Sequence, residues 1–297
     1  MRLSEKPFMF FMSFMVNSRP GSGAAEPDRI IGGMPHITAH PPGSLCWFEL
    51  TTTDQTAAKK FYQSIFGWTV EDSPMGPNDV YSIFRVDGRD AAAACTLRAE
   101  QRAQGVPPNW GVYIAVTNAD ASAKRAAELG AKVLLQPFDV MDSGRMSVIQ
   151  DPTGAVFCLW QGKKTAGTGI AHEHGTVVWA DLSTPDQVRA GKFYSDLLGW
   201  KMTGGKDKPV ATVGDYFHIV NGEEFIGGVP PANHRDPKMP AHWMIYFAVP
   251  TCDATVAKAT SMGARLLHGP MKIGDVRTIA TLADPQGAVF AIVDSTH

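Results

Sequence analysis

The segment FYQSIFGW at residues 61–68 returns as FYSDLLGW at residues 193–200. The two copies are separated by 132 residues (193 − 61). The segment WFEL at 47–50 returns as WADL at 179–182 with the same separation. The copies share aromatic residues, a glycine and a tryptophan at matching places, so the similarity extends beyond general composition.

Two further motifs extend this repeat towards the carboxyl terminus. WGVY at 110–113 returns as WMIY at 243–246, and DPTGAVF at 151–157 returns as DPQGAVF at 284–290. The four motifs keep the same order in both copies. Self-similarity at a nearly constant offset indicates a duplication. The sequence therefore predicts two copies of one domain.

The boundaries between these copies follow from composition. Residues 42–162 carry the first set of motifs, and residues 172–296 carry the second. Residues 163–171 are rich in glycine, lysine and threonine and show no apolar period, which is typical of a linker.

Residues 1–41 precede the first domain and contain an apolar run at 7–16. A transmembrane helix needs about 20 apolar residues, so this run is too short to span a bilayer. Basic residues before the run and small residues after it imitate a secretory signal, but Arg19 and Pro20 disfavour cleavage there. We expect a disordered leader or a misassigned start, with Met34 as the true first residue.

Composition excludes several classes of protein. The chain has 297 residues, 44% of them hydrophobic, and a net charge of −2. A chain without basic excess lacks the field that binds nucleic acid non-specifically, so neither nucleic acid nor membrane is expected as a partner. Four cysteines at scattered positions suggest a reducing compartment, and the predicted location is the cytoplasm, with secretion as the lesser alternative. We expect a monomer of two domains or a weak homodimer.

Local patterns predict the elements within each copy. Residues 45–51 alternate as a strand, Asp54 can cap a following helix, and Gly67 can end it. Three extended runs follow, and the second half of the copy repeats this order. Each domain is thus predicted to contain two strand-helix-three-strand units, which makes the fold class α+β.

These motifs, in this order, resemble the vicinal oxygen chelate superfamily, which includes glyoxalase I, bleomycin-resistance proteins and ring-cleaving dioxygenases. The carriers are the WxEL/WxDL strand, the FYxxxFGW/FYxxxLGW helix, the WxxY strand and the DPxGAVF turn. The resemblance implies that the two βαβββ units of each domain form a curved, cup-shaped mixed sheet with helices on the outside. In the superfamily this cup holds a metal and an oxygenated ligand.

The resemblance also locates the family's four metal-ligand positions. In the first domain they fall at Trp47, in the stretch 92–94, at Gly111 and at Cys158. The second domain has Trp179, the stretch 226–229, Met244 and Ala291 at these places. An indole nitrogen carries a proton and cannot bind a metal, and the usual imidazole and carboxylate ligands are missing. We therefore expect no family-type metal and no other cofactor.

Strand alternation directs one carboxyl into each cup. It places Leu45, Trp47, Glu49 and Thr51 on the cup side of the first strand and Cys46 on the helix side. In the second domain it places Asp181 on the cup side in the same way. A buried, unpaired carboxylate is unfavourable by several kcal/mol, so its recurrence needs a cause. Two explanations stay open: a structural hydrogen bond, or a catalytic base or ligand anchor with a raised pKa.

Glu49 and Asp181 are therefore the candidate catalytic residues. Further side chains on cup strands could contact a ligand, although ordinary strand packing explains each tyrosine equally simply, and surface placement each arginine. The candidate substrate-binding residues are Trp47, Thr51, Tyr81, Tyr113, Arg145, Cys158, Trp160, Trp179, His218, Tyr246 and Arg277.

Three functions are compatible with these observations. The first is a glyoxalase-like protein that binds or transforms a small oxygenated or aromatic organic molecule, without a bound metal, in detoxification or secondary metabolism. The second is a metal-dependent lyase of the glyoxalase I type, which the missing ligands disfavour. The third is a non-enzymatic sequestration (drug-resistance) or scaffold protein.

Overall fold

The computed structural model describes residues 36–76, 79–205, 214–273 and 277–294. The leader up to residue 35, including the start proposed at Met34, lies outside these ranges. None of the helices within them is both long and apolar enough to cross a lipid bilayer.

Within the described residues, each domain has eight strands in the order expected from two βαβββ units. The elements of the first domain are β1 Leu45–Thr52, α1 Gln55–Phe66, β2 Thr69–Gly76, β3 Asp79–Val86, β4 Arg89–Thr96, α2 Ala99–Ala103, β5 Asn109–Ala115, α3 Ala119–Glu128, β6 Lys132–Val140, β7 Gly144–Gln150 and β8 Val156–Gly162. Those of the second are β9 Val177–Ser183, α4 Gln187–Leu198, β10 Lys201–Thr203, β11 Phe217–Asn221, β12 Glu224–Val229, a 3-10 turn at Ala232–His234, β13 His242–Val249, α5 Cys252–Ser261, β14 Arg265–Ile273, β15 Arg277–Ala283 and β16 Val289–Asp294.

The two units of each domain join into one mixed sheet. The strand order is β2-β3-β4-β1-β5-β8-β7-β6 in the first domain and β10-β11-β12-β9-β13-β16-β15-β14 in the second. The first strands of the two units pair antiparallel, whereas each pairs parallel with the last strand of its own unit. This arrangement confirms the predicted α+β fold of two tandem cup-shaped domains.

The helix ends follow the local sequence signals. An Asp54 side-chain oxygen accepts a hydrogen bond from the Ala57 backbone N–H at 2.9 Å, and Gly67 ends α1 with a φ of 72°. Asp186 and Gly199 do the same for α4. These residues act through contacts within one turn, because an N-cap oxygen satisfies an unpaired helix N–H and glycine tolerates a left-handed backbone.

A bulge in β1 changes which side chains face the cup. The register with β5 shifts between Leu45 and Trp47. As a result Cys46 packs with Trp47 on the cup side, while Leu45 packs against the helix-side core. The predicted placement of Leu45 and Cys46 is therefore wrong, because strict alternation fails where an extra residue enters the strand.

The helix-bearing faces of the two domains share one hydrophobic core. The Tyr62 hydroxyl of the first domain donates to Asp284 Oδ2 of the second at 3.0 Å. Reciprocally, the Tyr194 hydroxyl donates to Asp151 Oδ2 at 3.0 Å. Each aspartate also accepts backbone N–H groups of its own DPxG turn. The repeated turn therefore also links the domains.

Two repeated tryptophans belong to this interface. Trp110 Nε1 donates to the Tyr62 hydroxyl at 3.0 Å, and Trp243 Nε1 donates to the Tyr194 hydroxyl at 3.3 Å. Both indole rings are buried in the shared core. Trp110 and Trp243 therefore stabilise the contact between domains and do not line a cup.

The linker is held along the first domain. The Thr168 N–H donates to the Cys46 carbonyl at 2.8 Å, and the Gly169 N–H donates to the Asp90 carbonyl at 2.7 Å. The Ile37 N–H, from the end of the predicted leader, donates to the Gly169 carbonyl at 3.0 Å. Backbone pairing thus orders this segment despite its glycine-rich composition.

Tyr62→Phe tests the link between domains. It should lower the free energy of unfolding by about 1–3 kcal/mol, because Asp284 and the Trp110 indole N–H lose a buried partner while the ring stays in place. Urea unfolding measures this change. Lys60→Ala, at an exposed position of α1, is the control and should stay within about 0.5 kcal/mol of the wild type. A Tyr62→Phe variant of wild-type stability would contradict the assigned role.

Candidate functional site

The concave face of the first sheet, cup 1, is centred on a chain of hydrogen bonds. Trp47 Nε1 donates to the Tyr81 hydroxyl at 2.9 Å, and the Tyr81 hydroxyl donates to Glu49 Oε2 at 2.7 Å. The cluster around this chain consists of Cys46, Trp47, Ala93, Tyr113, Ala115, Cys158 and Trp160, with Tyr81, Ile83, Val140, Met146 and Val148 packed against it.

Glu49 is held in a low-dielectric site but keeps some contact with solvent. Its Oε1 atom has the Cys95 thiol as a weak donor at 3.7 Å. Burial raises the pKa of the Glu49 carboxyl, and hydrogen bonds from Tyr81, Tyr113 and Cys95 partly oppose this rise. A carboxyl with a raised pKa is a better proton acceptor once ionised than an exposed one.

The concave face of the second sheet, cup 2, repeats the cluster with aspartate. Trp179 Nε1 lies 2.9 Å from Asp181 Oδ1 and 2.8 Å from the Tyr216 hydroxyl. Tyr216 donates to Oδ1 of the same carboxyl, and Tyr246 donates to Oδ2 at 2.9 Å. Burial raises the pKa of Asp181, and these hydrogen bonds oppose the rise.

The tyrosines remain hydrogen-bond donors in both cups. Burial, followed by the charge of the neighbouring carboxylate, raises the pKa of Tyr81, Tyr113, Tyr216 and Tyr246 well above its usual value. A hydroxyl that keeps its proton can donate to a carboxylate at any physiological pH. The hydrogen bonds therefore fix each carboxyl as an acceptor.

His218 and Arg277 lie on the cup 2 side of their strands. The His218 ring makes edge contacts with Trp179 and Tyr216, and its buried Nδ1 atom has no hydrogen-bond partner among the described residues. Burial lowers the pKa of His218, so the ring is neutral. Arg277 has the same strand parity as the cup residue Ile279 and is partly exposed, and burial lowers its pKa.

Comparison with known proteins identifies the fold family. The model of the Glyoxalase/Bleomycin resistance protein/Dioxygenase superfamily matches residues 36–159 and again residues 176–292. The chain belongs to this superfamily. The two matches coincide with the two sheets, so each copy of the repeat is one superfamily domain.

Relatives match along most of the chain. CFP32 of Mycobacterium tuberculosis, named provisionally as a glyoxylase, is 38% identical over 263 residues, covering 88% of this chain and 98% of its own. The anthracycline biosynthesis protein DnrV of Streptomyces peucetius is 34% identical over 277 residues, covering 87% and 95%. The chain is thus similar to both relatives over nearly their whole length.

Solved structures support the fold. The Mn(II)-bound glyoxalase of Novosphingobium aromaticivorans superposes with a TM-score of 0.58 at 17% identity, covering 85% of this chain and 82% of its own. The 2,3-dioxygenase LapB of Pseudomonas sp. KL28 gives 0.56 at 14% identity, covering 89% and 94%. At such identities the likeness shows the fold alone.

The residues at the superfamily's metal positions do not fit a metal. The Trp47 indole N–H donates to Tyr81, and burial raises the pKa of the Cys158 thiol, which disfavours the thiolate that a metal needs. In the described ranges, histidine, cysteine and carboxylate side chains do not form a group of three that could hold a metal ion. The side chains of the cups therefore offer hydrogen-bond donors and acceptors rather than a set of metal ligands.

Arg145 does not reach either carboxyl. Its guanidinium donates to Asp120 of α3 at 2.7 and 2.8 Å and to Asp139 at 3.3 Å. Arg145 shares the strand parity of Ile149, which packs in the helix-side core. Arg145 was a candidate substrate-binding residue with surface placement as the alternative, and the structure corrects the candidate role because this side of β7 faces away from the cup.

The other candidates of the first domain lie in cup 1. Cys158 pairs in register with Tyr113, and Trp160 Nε1 donates to the Thr165 carbonyl at 3.0 Å. Thr51 lies opposite Cys95, with 3.8 Å between Oγ1 and Sγ. Cys95 is a further cup 1 residue that was not among the sequence-based candidates, although its two-residue spacing from the cup residue Ala93 places it on the cup face.

Two surface hollows lie away from the cups. One of about 370 Å³ adjoins the start of α1 at Gln55 and Lys59. The other, of about 290 Å³, lies beside α3 at Lys124 and Gln136. Neither is lined by a residue of the carboxyl–tyrosine clusters, so the cups remain the candidate functional sites.

The raised pKa of Glu49 predicts a pH-dependent difference between wild type and Glu49→Gln. The native state keeps this proton over a range of pH in which the unfolded chain has released it, so wild-type stability falls as pH rises through that range. As pH rises above about 4, where a glutamate of the unfolded chain ionises, the wild type should lose stability relative to Glu49→Gln, by about 1.4 kcal/mol for each pH unit until the folded carboxyl ionises as well.

Urea unfolding at several pH values measures this difference. Glu100→Gln, at an exposed position of α2, provides the control and should show no comparable trend. A stability difference between wild type and Glu49→Gln that is independent of pH would show that the fold does not raise this pKa.

Proposed function

We propose that the protein binds a small oxygenated or aromatic organic molecule in a cup and acts on it or sequesters it without a bound metal. One observation carries this proposal: a desolvated carboxyl, held by tyrosine hydroxyls, lies at the centre of the concave face in both domains. Buried carboxyls with perturbed pKa values concentrate at functional sites.

The hydrogen bonds of cup 1 support this proposal. Tyr81 holds Glu49 Oε2, and the Trp47 indole holds the Tyr81 oxygen. Glu49 is then oriented to accept a proton or a hydrogen bond from a molecule in the cup. A base with a raised pKa removes a proton from a hydroxyl or an acidic C–H more effectively near neutral pH. Glu49, and Asp181 in cup 2, are the proposed catalytic or anchoring groups.

The names of the relatives fit this class of function. DnrV is named for anthracycline biosynthesis, and CFP32 is named for a glyoxylase. Both names concern small oxygenated organic molecules. We propose a role in secondary metabolism or detoxification for this chain.

The same reasoning supports a cytoplasmic location and a chain that works without a partner protein. All four cysteines are free thiols, which favours a reducing compartment. The two domains of the chain pack against each other through their helix-bearing faces. We propose a monomer or a weak homodimer.

Ligand binding tests the proposal directly. Thermal unfolding with a panel of planar quinones, phenols and thiol adducts should reveal stabilisation, about 2.7 kcal/mol for a ligand at 100 times its Kd. The double variant Glu49→Gln, Asp181→Asn should lose at least about 1.5 kcal/mol of binding free energy. If no compound of the panel stabilises the wild type, the cups are filled and the scaffold reading is favoured.

Metal analysis tests the alternative lyase. After purification with Mn²⁺, Zn²⁺ or Ni²⁺ present, followed by dialysis, the protein should retain far less than one ion per domain, because the superfamily positions lack ligands. Turnover of a hemithioacetal that requires a stoichiometric ion would contradict the metal-free proposal and support the glyoxalase I-type lyase.

A further inference from the structure

The two cups hold equivalent carboxyls but satisfy them differently. Asp181 accepts hydrogen bonds from Trp179, Tyr216 and Tyr246 across both oxygens and is only 4% exposed. Glu49 is partly exposed: Tyr81 donates to its Oε2 atom at 2.7 Å, the Cys95 thiol is a weak donor to Oε1 at 3.7 Å, and Tyr113 contributes a further hydrogen bond to the carboxyl. Glu49 is therefore more exposed than Asp181, and its Oε1 atom has a weak thiol donor where both Asp181 oxygens have hydroxyl donors.

The space beside each carboxyl also differs. Gly111 lies opposite Glu49 on the neighbouring strand, and a Cβ added at Gly111 would meet only the Glu49 backbone oxygen, at 3.7 Å. In cup 2 the equivalent residue opposite Asp181 is Met244, whose side chain packs into the cup cluster. Cup 1 therefore has no side chain at the position that a methionine occupies in cup 2.

The parallel partner strand shows the same contrast. Gly228 lies beside Asp181, and a Cβ added there would fall 1.9 Å from the Tyr216 hydroxyl oxygen. The Tyr216 side chain thus occupies the space directly over this strand. In cup 1 the corresponding residue is Ala93, so a side chain of that size is accommodated beside Glu49.

We infer that cup 1 is the ligand site and that cup 2 is packed by its own side chains. The ligand of cup 1 is a planar aromatic molecule whose hydroxyl donates a hydrogen bond to Glu49 Oε1. This inference rests on the proposed function and names its site and substrate class.

A ligand that binds the Glu49 carboxylate must contribute a hydrogen-bond donor, because an ionised carboxylate only accepts hydrogen bonds. An ionised carboxylate has about four acceptor positions, and the Tyr81 hydroxyl occupies one of those on Oε2. A phenolic hydroxyl completes this set, whereas an ether oxygen in the same place would face the carboxylate without a proton between them. The Trp47 ring and the Ile83 and Met146 side chains provide apolar surface for the rest of the molecule.

A matched pair of probes tests the assignment. 2-Naphthol and 2-methoxynaphthalene share a ring system, but only the naphthol donates a hydrogen bond. Equilibrium dialysis should show that wild type binds the naphthol about tenfold or more tightly than the ether, the ratio expected for a hydrogen bond to a charged group. In Glu49→Gln this ratio should fall towards one.

Gly111→Met tests the cup by placing the cup 2 residue into cup 1. It should weaken binding of both probes at least about tenfold, with a melting temperature near that of the wild type, because the backbone at 111 is not left-handed. Met244→Leu, the matched change in cup 2, should leave both affinities unchanged. Gly111→Ala, a smaller addition, provides a second variant if the methionine destabilises the fold.

The outcomes separate this inference from the proposed function. Naphthol binding that survives Gly111→Met and Glu49→Gln would overturn the assignment to cup 1, and equal wild-type affinity for the two probes would overturn the need for a hydroxyl donor. Failure of both probes to bind would overturn the ligand class, whereas the proposed function fails only if the wider ligand panel also gives no stabilisation.

Discussion

Reciprocal packing between the helix-bearing faces of the two sheets is the constraint on which the rest of the structure depends. The Tyr62–Asp284 and Tyr194–Asp151 hydrogen bonds cross the interface in opposite directions within one shared apolar core. Buried polar groups need partners, so these bonds fix the relative positions of the domains as well as stabilising them. With its helix side covered by the other domain, each sheet has its concave face available for chemistry.

The sequence predicted those features that depend on neighbouring residues. The repeat, the Asp54 and Gly67 helix ends and the strand that carries Glu49 all follow from spacing or local capping. Features that depend on the register between strands were harder to predict from the sequence. The bulge between Leu45 and Trp47 moved Cys46 into the cup, and the parity of β7 turned Arg145 towards α3.

Residues of the repeated motifs have roles that the sequence left open, because their contacts are with residues far away in the chain. The repeated DPxG turn indicated only a turn, yet its aspartate is the acceptor of a tyrosine from the other domain. The repeated WxxY motif gave no role to Trp110, and only the packing of the two domains shows that its ring lies in the shared core. A single chain segment cannot specify a partner more than 200 residues away.

The duplicated clusters show how a superfamily cup can present chemistry without its usual ligand set. Each cup has a carboxyl whose charge is disfavoured by burial and supported by tyrosine donors. The copies differ in the residue opposite this carboxyl, which is Gly111 in cup 1 and Met244 in cup 2. The clusters have kept a common pattern, while the space beside them has diverged.

A crystal structure of the protein grown with 2-naphthol would test the central claim most directly. The account predicts the ring in cup 1, with its hydroxyl oxygen about 2.5–3.0 Å from Glu49 Oε1 and without a metal ion between them. A ligand found in cup 2 or in a surface hollow, or a divalent ion coordinated within either cup, would contradict the account.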